Sequence, residues 1–561
     1  MWDHFRRGAA LAYYNLSEAV LRSCGRRPPY AALKLELGGE LPEQTSDFRF
    51  PLRRQRPTQD LFGLMSLLRG ARQDPGLRAV WVSAATVRAG WAKVQELRRG
   101  LAEVRQAGKP VWVYLSRGGL PEYVLASAAS RVILAPAGTL DIAGLSSEVT
   151  FFGGALRRLG IEPQVVQLGR FKSGGEVFTR SDMSASHSEM LEGLVDDLYD
   201  QLVAAVADGR GLPAAAVRQL LDRGPFTADE ALAAGLVDAV QYEDEAEAGF
   251  RAAFDEAPFI EGEAYAVRRT RAARRAVLRH ERPAIGLLHL TGTVKMGESL
   301  PGPEAMSATG VTAVVRDLKT LRERADIGAV VLRVSSPGGS GLASDLIWRE
   351  VVRTRESKPV VVSLGDVAAS GGYYAAVAAR PVVADGATIT GSIGVLAGKA
   401  VLRGVYDQLG VTKEVVRRGR HAGLYSDYVR LGPEERDRLR AEAESFYQRF
   451  VDKVAAGRAL SPAAVESAAQ GRVWTGRQAH ALGLVDLLGG LERALDEAKV
   501  LLGIGRDEPV AVDRYPRPRR LWRLPSFLSP ARARLAPIGL LHEALGSERV
   551  WALLPLRLRF F

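Results

Sequence analysis

Two short stretches carry residues able to do hydrolytic chemistry. In "DVAASGGYYAAVAAR", Asp366 to Arg380, Ser370 stands in front of Gly371 and Gly372 and an Ala-rich, helix-forming run. In "LGRFKSGGEVFTRSDMS", Leu168 to Ser184, Lys172 is followed by a serine and two glycines. Serine is a weak nucleophile until a base takes its proton, and a lysine amine can be that base only when neutral. Lowering a lysine from about 10.4 to about 7.5 asks for roughly 4 kcal/mol of destabilisation of the ammonium, which a mostly apolar pocket without carboxylates can supply. The oxyanion formed on attack needs backbone donors. Gly338 or Gly339 in "SSPGGSG", Ser335 to Gly341, and Gly371 are the candidates. Taken singly, a serine before a glycine pair suits any tight turn, and a lone lysine is most often solvated. The pairing therefore needs an argument from the rest of the chain.

That argument is a repeat. "LRAVWVSAA" from Leu77 corresponds to "IGAVVLRVSS" from Ile327, so that Ala79 and Ala329 stand 250 residues apart. "GKPVWVYLS" at Gly108 corresponds to "SKPVVVSLG" at Ser357, and "FTADEALAAGLVDAV" from Phe226 to "WTGRQAHALGLVDLL" from Trp474. Within each copy, short β-branched runs such as "AVVLRV" alternate with helical stretches such as "ASDLIWREVVRTRES". This alternation predicts an α/β fold of βαβ units with mainly parallel sheets, and the near-continuous valines predict strands buried on both faces. The expected organisation is an N-terminal segment over 1–29 lying as a surface helix, a first repeat over 30–250, a basic connector over 251–282, a second repeat over 283–505 and a basic apolar tail over 506–561.

The two copies differ where chemistry is at stake. The register sets Ser370 against Leu120, and "SSPGGSG" against "AATVRAG". It sets Lys172 against Ala422, although Gly169 with Gly419 and Arg170 with Arg420 stay matched. One copy keeps a lysine and the other keeps a serine with its glycine pair, the pattern expected of a single site divided across a tandem pair. The first repeat would supply the base, the second the nucleophile and oxyanion hole.

Composition narrows the alternatives. A chain of 561 residues with 47% hydrophobic and 25% charged residues is globular and holds more than one domain. The net charge of +12 is concentrated in Arg268, Arg269, Arg271, Arg274, Arg275 and Arg279 and in the tail after Arg514, a distribution suited to an anionic surface or to solvated linkers. The single Cys24 excludes an internal disulfide and a Cys-rich metal site. No GxGxxG after a strand, no P-loop and no HExxH occurs, so neither cofactor nor metal nor nucleic acid is expected. His289, His421 and His480 stand outside any motif that would build a Ser-His-Asp triad. No run of about 18 apolar residues is present, and Asn15, Glu18 and Arg22 interrupt the N-terminal stretch, which makes a poor signal peptide or anchor.

Over about residues 30–500 the chain resembles the signal peptide peptidase A family, also called protease IV, of the long tandem-repeat type. The resemblance rests on "SSPGGS", "SLGDVAASGGYY", "ATITGSIGV" and "LGRFKSGGEVFTRSDMS". It implies that Ser370 is the nucleophile, that Lys172 is the base, and that Ser392 in "GSIG" helps hold the lysine. It further implies crotonase-like (caseinolytic-protease-like) domains, a ring-shaped homo-oligomer such as a tetramer, and activity on short apolar peptides, among them cleaved signal peptides. Family members usually carry an N-terminal membrane anchor, which this sequence does not show. The expected location is therefore peripheral at a membrane, through the C-terminal tail, or cytoplasmic. Two other functions are compatible with such a fold: crotonase-type acyl-CoA chemistry, and a non-catalytic membrane-associated scaffold. Neither accounts for the reciprocal Ser/Lys pattern.

Overall fold

A computed structural model describes residues 31–45, 60–269, 282–299, 308–517 and 550–553, the last of these as backbone only. The N-terminal segment over 1–29, the centre of the connector and most of the C-terminal tail lie outside the described residues, and with them the expected surface helix and the tail's membrane contact. Among the described residues, no helix is long and apolar enough to cross a membrane.

The repeat is visible as two sheets of the same strand order. In the first, Phe259–Glu261, Ala31–Glu40, Leu77–Arg88, Val111–Leu115, Arg131–Leu134 and Ala239–Val240 lie side by side, every pair parallel. In the second, Val512–Tyr515, Ala284–Thr291, Ile327–Ser336, Val360–Ala369, Val382–Ala384 and Leu487–Leu488 follow in the same sense, again parallel. Ile389–Gly391 continues the far end of Val360–Ala369 and pairs antiparallel with Val473–Thr475. The valine runs behave as two-sided strands. Val330, Leu332 and Val334 enter one apolar core while Ala329 and Val331 enter the core on the opposite face.

Each sheet runs past the boundary drawn from the sequence. Phe259–Glu261 pairs with Ala31–Glu40, and Tyr265 is buried in the first core, so the first repeat takes in residues assigned above to the connector. Val512–Tyr515 likewise closes the edge of the second sheet beyond 505. In both cases a three- or four-residue edge strand is too short to leave a periodic signal.

A third sheet joins the repeats. Its order is Ala308–Gly310, Thr293–Lys295, Gly338–Ser340, Val550–Leu553, Val395–Val401, Glu162–Leu168. The last of these belongs to the first repeat and pairs antiparallel with Val395–Val401 of the second, from Val395 opposite Leu168 to Val401 opposite Glu162. A buried ionic cluster makes the second junction. Arg333, fully buried on the second sheet, donates to Glu43 (2.9 Å), to Ser363 Oγ (2.8 Å) and to the carbonyl of Leu364 (3.2 Å). Lys93 bridges Glu43 (3.5 Å) and Asp366 (3.1 Å), and Asp366 Oδ1 also accepts the Lys93 amide (3.0 Å), near the start of helix Trp91–Gln106. Burial alone would raise Glu43, but the charges of Arg333 and Lys93 outweigh it and hold the carboxyl at about 2.

Candidate active site

Strand register brings three distant segments to one point. Ala369 pairs with Gly391, so the residues that follow, Ser370 and Ser392, leave adjacent strand ends side by side; the Ser370 amide donates to the carbonyl of Gly391 (2.8 Å). Leu168 pairs with Val395, so the chain continuing from Leu168 towards Lys172 runs back along Gly394, Ile393 and Ser392. Lys172 Nζ consequently lies 2.8 Å from Ser370 Oγ, 3.0 Å from Ser392 Oγ and 3.1 Å from the carbonyl oxygen of Ser392. Those contacts suit both protonation states. As an ammonium, Nζ donates three hydrogen bonds. As a neutral amine it donates two to Ser392 and receives the Ser370 hydroxyl proton on its lone pair.

The surroundings decide which state is accessible. Lys172, Ser370 and Ser392 are all buried, and Phe171, Ala369, Ile389 and Val473 form an apolar cluster next to them. Burial, with no carboxylate to offset it, lowers Lys172 to about 7. At neutral pH the amine is thus half available as a base, whereas an exposed lysine would be almost wholly charged.

The backbone of Ser370 is strained in a way that leaves its buried hydroxyl to Lys172. Ser370 has φ 53° and ψ −117° at the N-cap of helix Gly371–Ala376, yet its hydroxyl makes no capping bond and is left for Lys172. Ser392 (φ 52°) and Gln470 (φ 53°) also have positive φ, so three of the seven non-glycine residues of this kind among the described residues meet at the site. Strain concentrated in this way is a mark of functional geometry.

The oxyanion candidates fall into two groups. Gly371 opens a helix, and the first amides of a helix have no intrahelical acceptor. The amide of Gly338 donates to Ser336 Oγ (3.1 Å). Gly339 lies in the strand Gly338–Ser340, where a side chain would drive into the carbonyl of Val294. On the other edge of that strand, Gly338 faces Leu553 and Ser340 faces Trp551 in an antiparallel pair, while Leu396 faces Trp551 from the far side. A short extended segment of the chain's own C-terminal region therefore lies in the sheet beside the glycine pair.

No histidine takes part among the described residues. His289 is buried in the second sheet, and burial lowers it to about 4, with neither ring nitrogen hydrogen-bonded. Residues that sequence reasoning passed over are Asp366, Arg333 and Glu43, which tie the repeats together, and the turn Gln470–Arg472, which touches the lysine segment. Only the last left a readable signal: in the register that matches Phe226 with Trp474, Gly471 falls opposite Arg223.

Two stretches of the chain, 103–254 and 353–505, match the description "Peptidase family S49", one in each repeat. The chain belongs to peptidase family S49. It is 34% identical to "Serine protease SPPA, chloroplastic" of Arabidopsis thaliana over 496 residues, covering 86% of this chain and 72% of the relative. It is 32% identical to "Protease 4" of Haemophilus influenzae over 420 residues, 72% of this chain and 67% of the relative. As an S49 member it is a serine-type protease built from two tandem, mainly parallel α/β repeats. Among solved structures, ClpP1 from Listeria monocytogenes overlaps 36% of this S49 chain and 89% of its own at 14% identity and TM-score 0.22. An enoyl-CoA hydratase from a Polaromonas species overlaps 35% and 66% at 18% identity and TM-score 0.21. Both overlaps are too loose to bear on the chemistry.

Proposed function

We propose that this S49 protease is an endopeptidase with a Ser370–Lys172 dyad that cleaves short apolar peptides, signal peptides released from preproteins among them. The observation that carries the reading is the buried Lys172 amine 2.8 Å from the Ser370 hydroxyl, with no charge beside it to keep it protonated. Ser370 Oγ attacks the scissile carbonyl and its proton passes to Lys172 Nζ. The oxyanion is met by the amide of Gly371 and by one from the Gly338–Gly339 pair. Lys172 then gives its proton to the departing amine, leaving an ester on Ser370. A water molecule, deprotonated by Lys172, attacks that ester, and the proton returns to Ser370 as the peptide acid leaves. Ser392 holds the amine in line through its hydroxyl and carbonyl oxygens.

An extended peptide as substrate is supported by the strand Val550–Leu553, whose backbone already lies between Gly338–Ser340 and Val395–Val401. Main-chain pairing of that kind reads a peptide without reading its side chains. The same reading includes a homo-oligomer. The pair Glu162–Leu168 with Val395–Val401 has pseudo-equivalents 250 residues away, 412–418 and 145–151, and neither is paired in a strand. Val415 and Val416 are exposed there, and a second copy would pair 412–418 with its own 145–151. The test of the catalytic reading is turnover of a fluorogenic apolar peptide by the wild type and by Ser370→Ala and Lys172→Ala. Loss of turnover in both is expected; wild-type turnover in either would contradict the dyad.

A further inference from the structure

The turn Gln470–Gly471–Arg472 touches both the lysine segment and the Ser392 turn. We infer that Gln470 and Gly471 are positioning residues whose turn forms the seat that presses Lys172 towards Ser370 and closes water away from its amine. This inference rests on the dyad reading above, and its test separates the two.

The hydrogen bonds run in both directions from the turn. The carbonyl of Gln470 accepts the amide of Phe171 (2.7 Å), and Gln470 Oε1 accepts the amide of Arg170 (3.1 Å). Gly471 donates its amide to the carbonyl of Ile393 (2.7 Å), and Arg472 accepts the amide of Ser392 (2.7 Å). The residues before Lys172 and those around Ser392 are thus fastened to the same tripeptide. Gln470 is itself anchored, since its Nε2 donates to Glu466, which also receives the Tyr447 hydroxyl (2.9 Å).

Close approach leaves no room for change at Gly471. It has φ +75°, and a Cβ there would lie 2.5 Å from both Cβ and N of Lys172. The contact repeats from the other side, where a side chain on Gly169 would strike the Gln470 carbonyl group, and one on Gly394 would come within 2.8 Å of Gly471. Three glycines therefore pack backbone against backbone beside the lysine, a close approach that only residues without a side chain permit. The first repeat has Arg223 opposite Gly471 and Ala422 lies opposite Lys172, so seat and lysine each have no counterpart in the other copy.

The charged groups around the seat are already engaged. Arg170 and Arg472 both pair with Glu189 at the rim (3.0 and 2.9 Å), and Glu176 accepts from Ser184 (2.7 Å) beside His187 (3.3 Å). Water admitted by a loosened seat would solvate the ammonium, so the base would titrate at higher pH. Activity needs the neutral amine and rises with pH through its pKa. Loosening the seat therefore moves the acid limb of the rate profile upwards, an effect that a loss of stability elsewhere does not produce.

The experiment measures kcat, KM and the pH profile for a fluorogenic apolar peptide on the full chain. Gly471→Ala is expected to lower kcat about 100-fold with KM little changed, and to move the acid limb to higher pH. Gln470→Val is expected to act in the same direction, because a β-branched residue resists the left-handed conformation, while Gln470→Asn, which tolerates it, restores most of the rate. Gly503→Ala is the control, a glycine at φ +69° with nothing around it, and should keep the wild-type rate and limb. Gly471→Ala behaving like Gly503→Ala would overturn the inference. If Gly471→Ala does not fold, the Gln470 pair decides, and equal limbs for Gln470→Val and Gln470→Asn would overturn it. Wild-type turnover by Lys172→Ala would remove the dyad itself, and the seat with it.

Discussion

Lys172 Nζ and Ser370 Oγ lie 2.8 Å apart although 198 residues of chain separate them. The distance is set by two strand registers, Leu168 with Val395 and Ala369 with Gly391, each of which carries one side chain past the end of its ladder to the same point. Nothing local to either residue could bring this about. It requires the first repeat to lend a strand to a sheet that the second repeat completes.

The first consequence is a pH dependence. With Lys172 lowered to about 7 by burial, kcat/KM should rise with pH and reach half its plateau near pH 7. A profile still climbing above pH 9 would mean that the base is a solvated lysine.

The second concerns stability. The folded-state pKa of Lys172 lies below its unfolded value of about 10.5, so the unfolded chain binds more protons between pH 7 and 10.5 and stability rises with pH across that window. Lys172→Met removes a buried cation-former at the expense of hydrogen bonds to Ser370 and Ser392. Below pH 7 it should stabilise the fold by a few kcal/mol, on the order of 2–4, and the difference should shrink as pH approaches 10. Thermal unfolding across pH checks this; a variant less stable than wild type at pH 6 would count against it.

The third concerns the junction between the repeats. Glu43→Gln leaves Arg333 buried with its main counter-charge gone, which should cost roughly 3–5 kcal/mol. The depressed carboxyl contributes stability that is present above about pH 4.5 and is lost as pH falls through about 2. Chemical denaturation of the variant at pH 7 and of the wild type from pH 5 to pH 2 measures both. A loss below 1 kcal/mol would show that the cluster is not holding the repeats.

The fourth concerns the C-terminal strand. A chain ending at residue 517 lacks Val550–Leu553 and leaves the edges of Gly338–Ser340 and Val395–Val401 open. If a peptide pairs with those edges, KM for an apolar peptide should fall in the shortened chain. An unchanged KM would place substrate elsewhere.

The fifth concerns assembly. Val416→Asp puts a charge on an exposed segment whose pseudo-equivalent in the first repeat is a paired strand. Light scattering should show a smaller particle than the wild type. The same mass for both would exclude 412–418 as the contact.

Much of this is legible in the sequence, and the limit has a physical cause. The alternation of valine runs with helical stretches gives the parallel sheets, because two-sided burial is written into each strand. Ser370 against Leu120 and Lys172 against Ala422 are legible because duplication supplies an internal comparison. The seat at Gln470 and Gly471 left only the faint contrast with Arg223, since left-handed φ values and backbone contact carry no compositional pattern. The pairing of Arg333 with Glu43 left none, because a buried charge looks like a surface one until its partner, 290 residues away, is placed. Nor does a glycine pair say how its amides are engaged: Gly338 donates to Ser336, and Gly339 is paired in the sheet with Val294 and Ala552.

The measurement that bears most directly on the dyad is intact mass and peptide mapping of protein quenched in acid during turnover of an apolar peptide ester. The expected result is a single acyl adduct on the fragment containing Ser370, absent from Ser370→Ala and not accumulating in Lys172→Ala. An adduct on another residue, or acylation of Lys172→Ala at the wild-type rate, would contradict it.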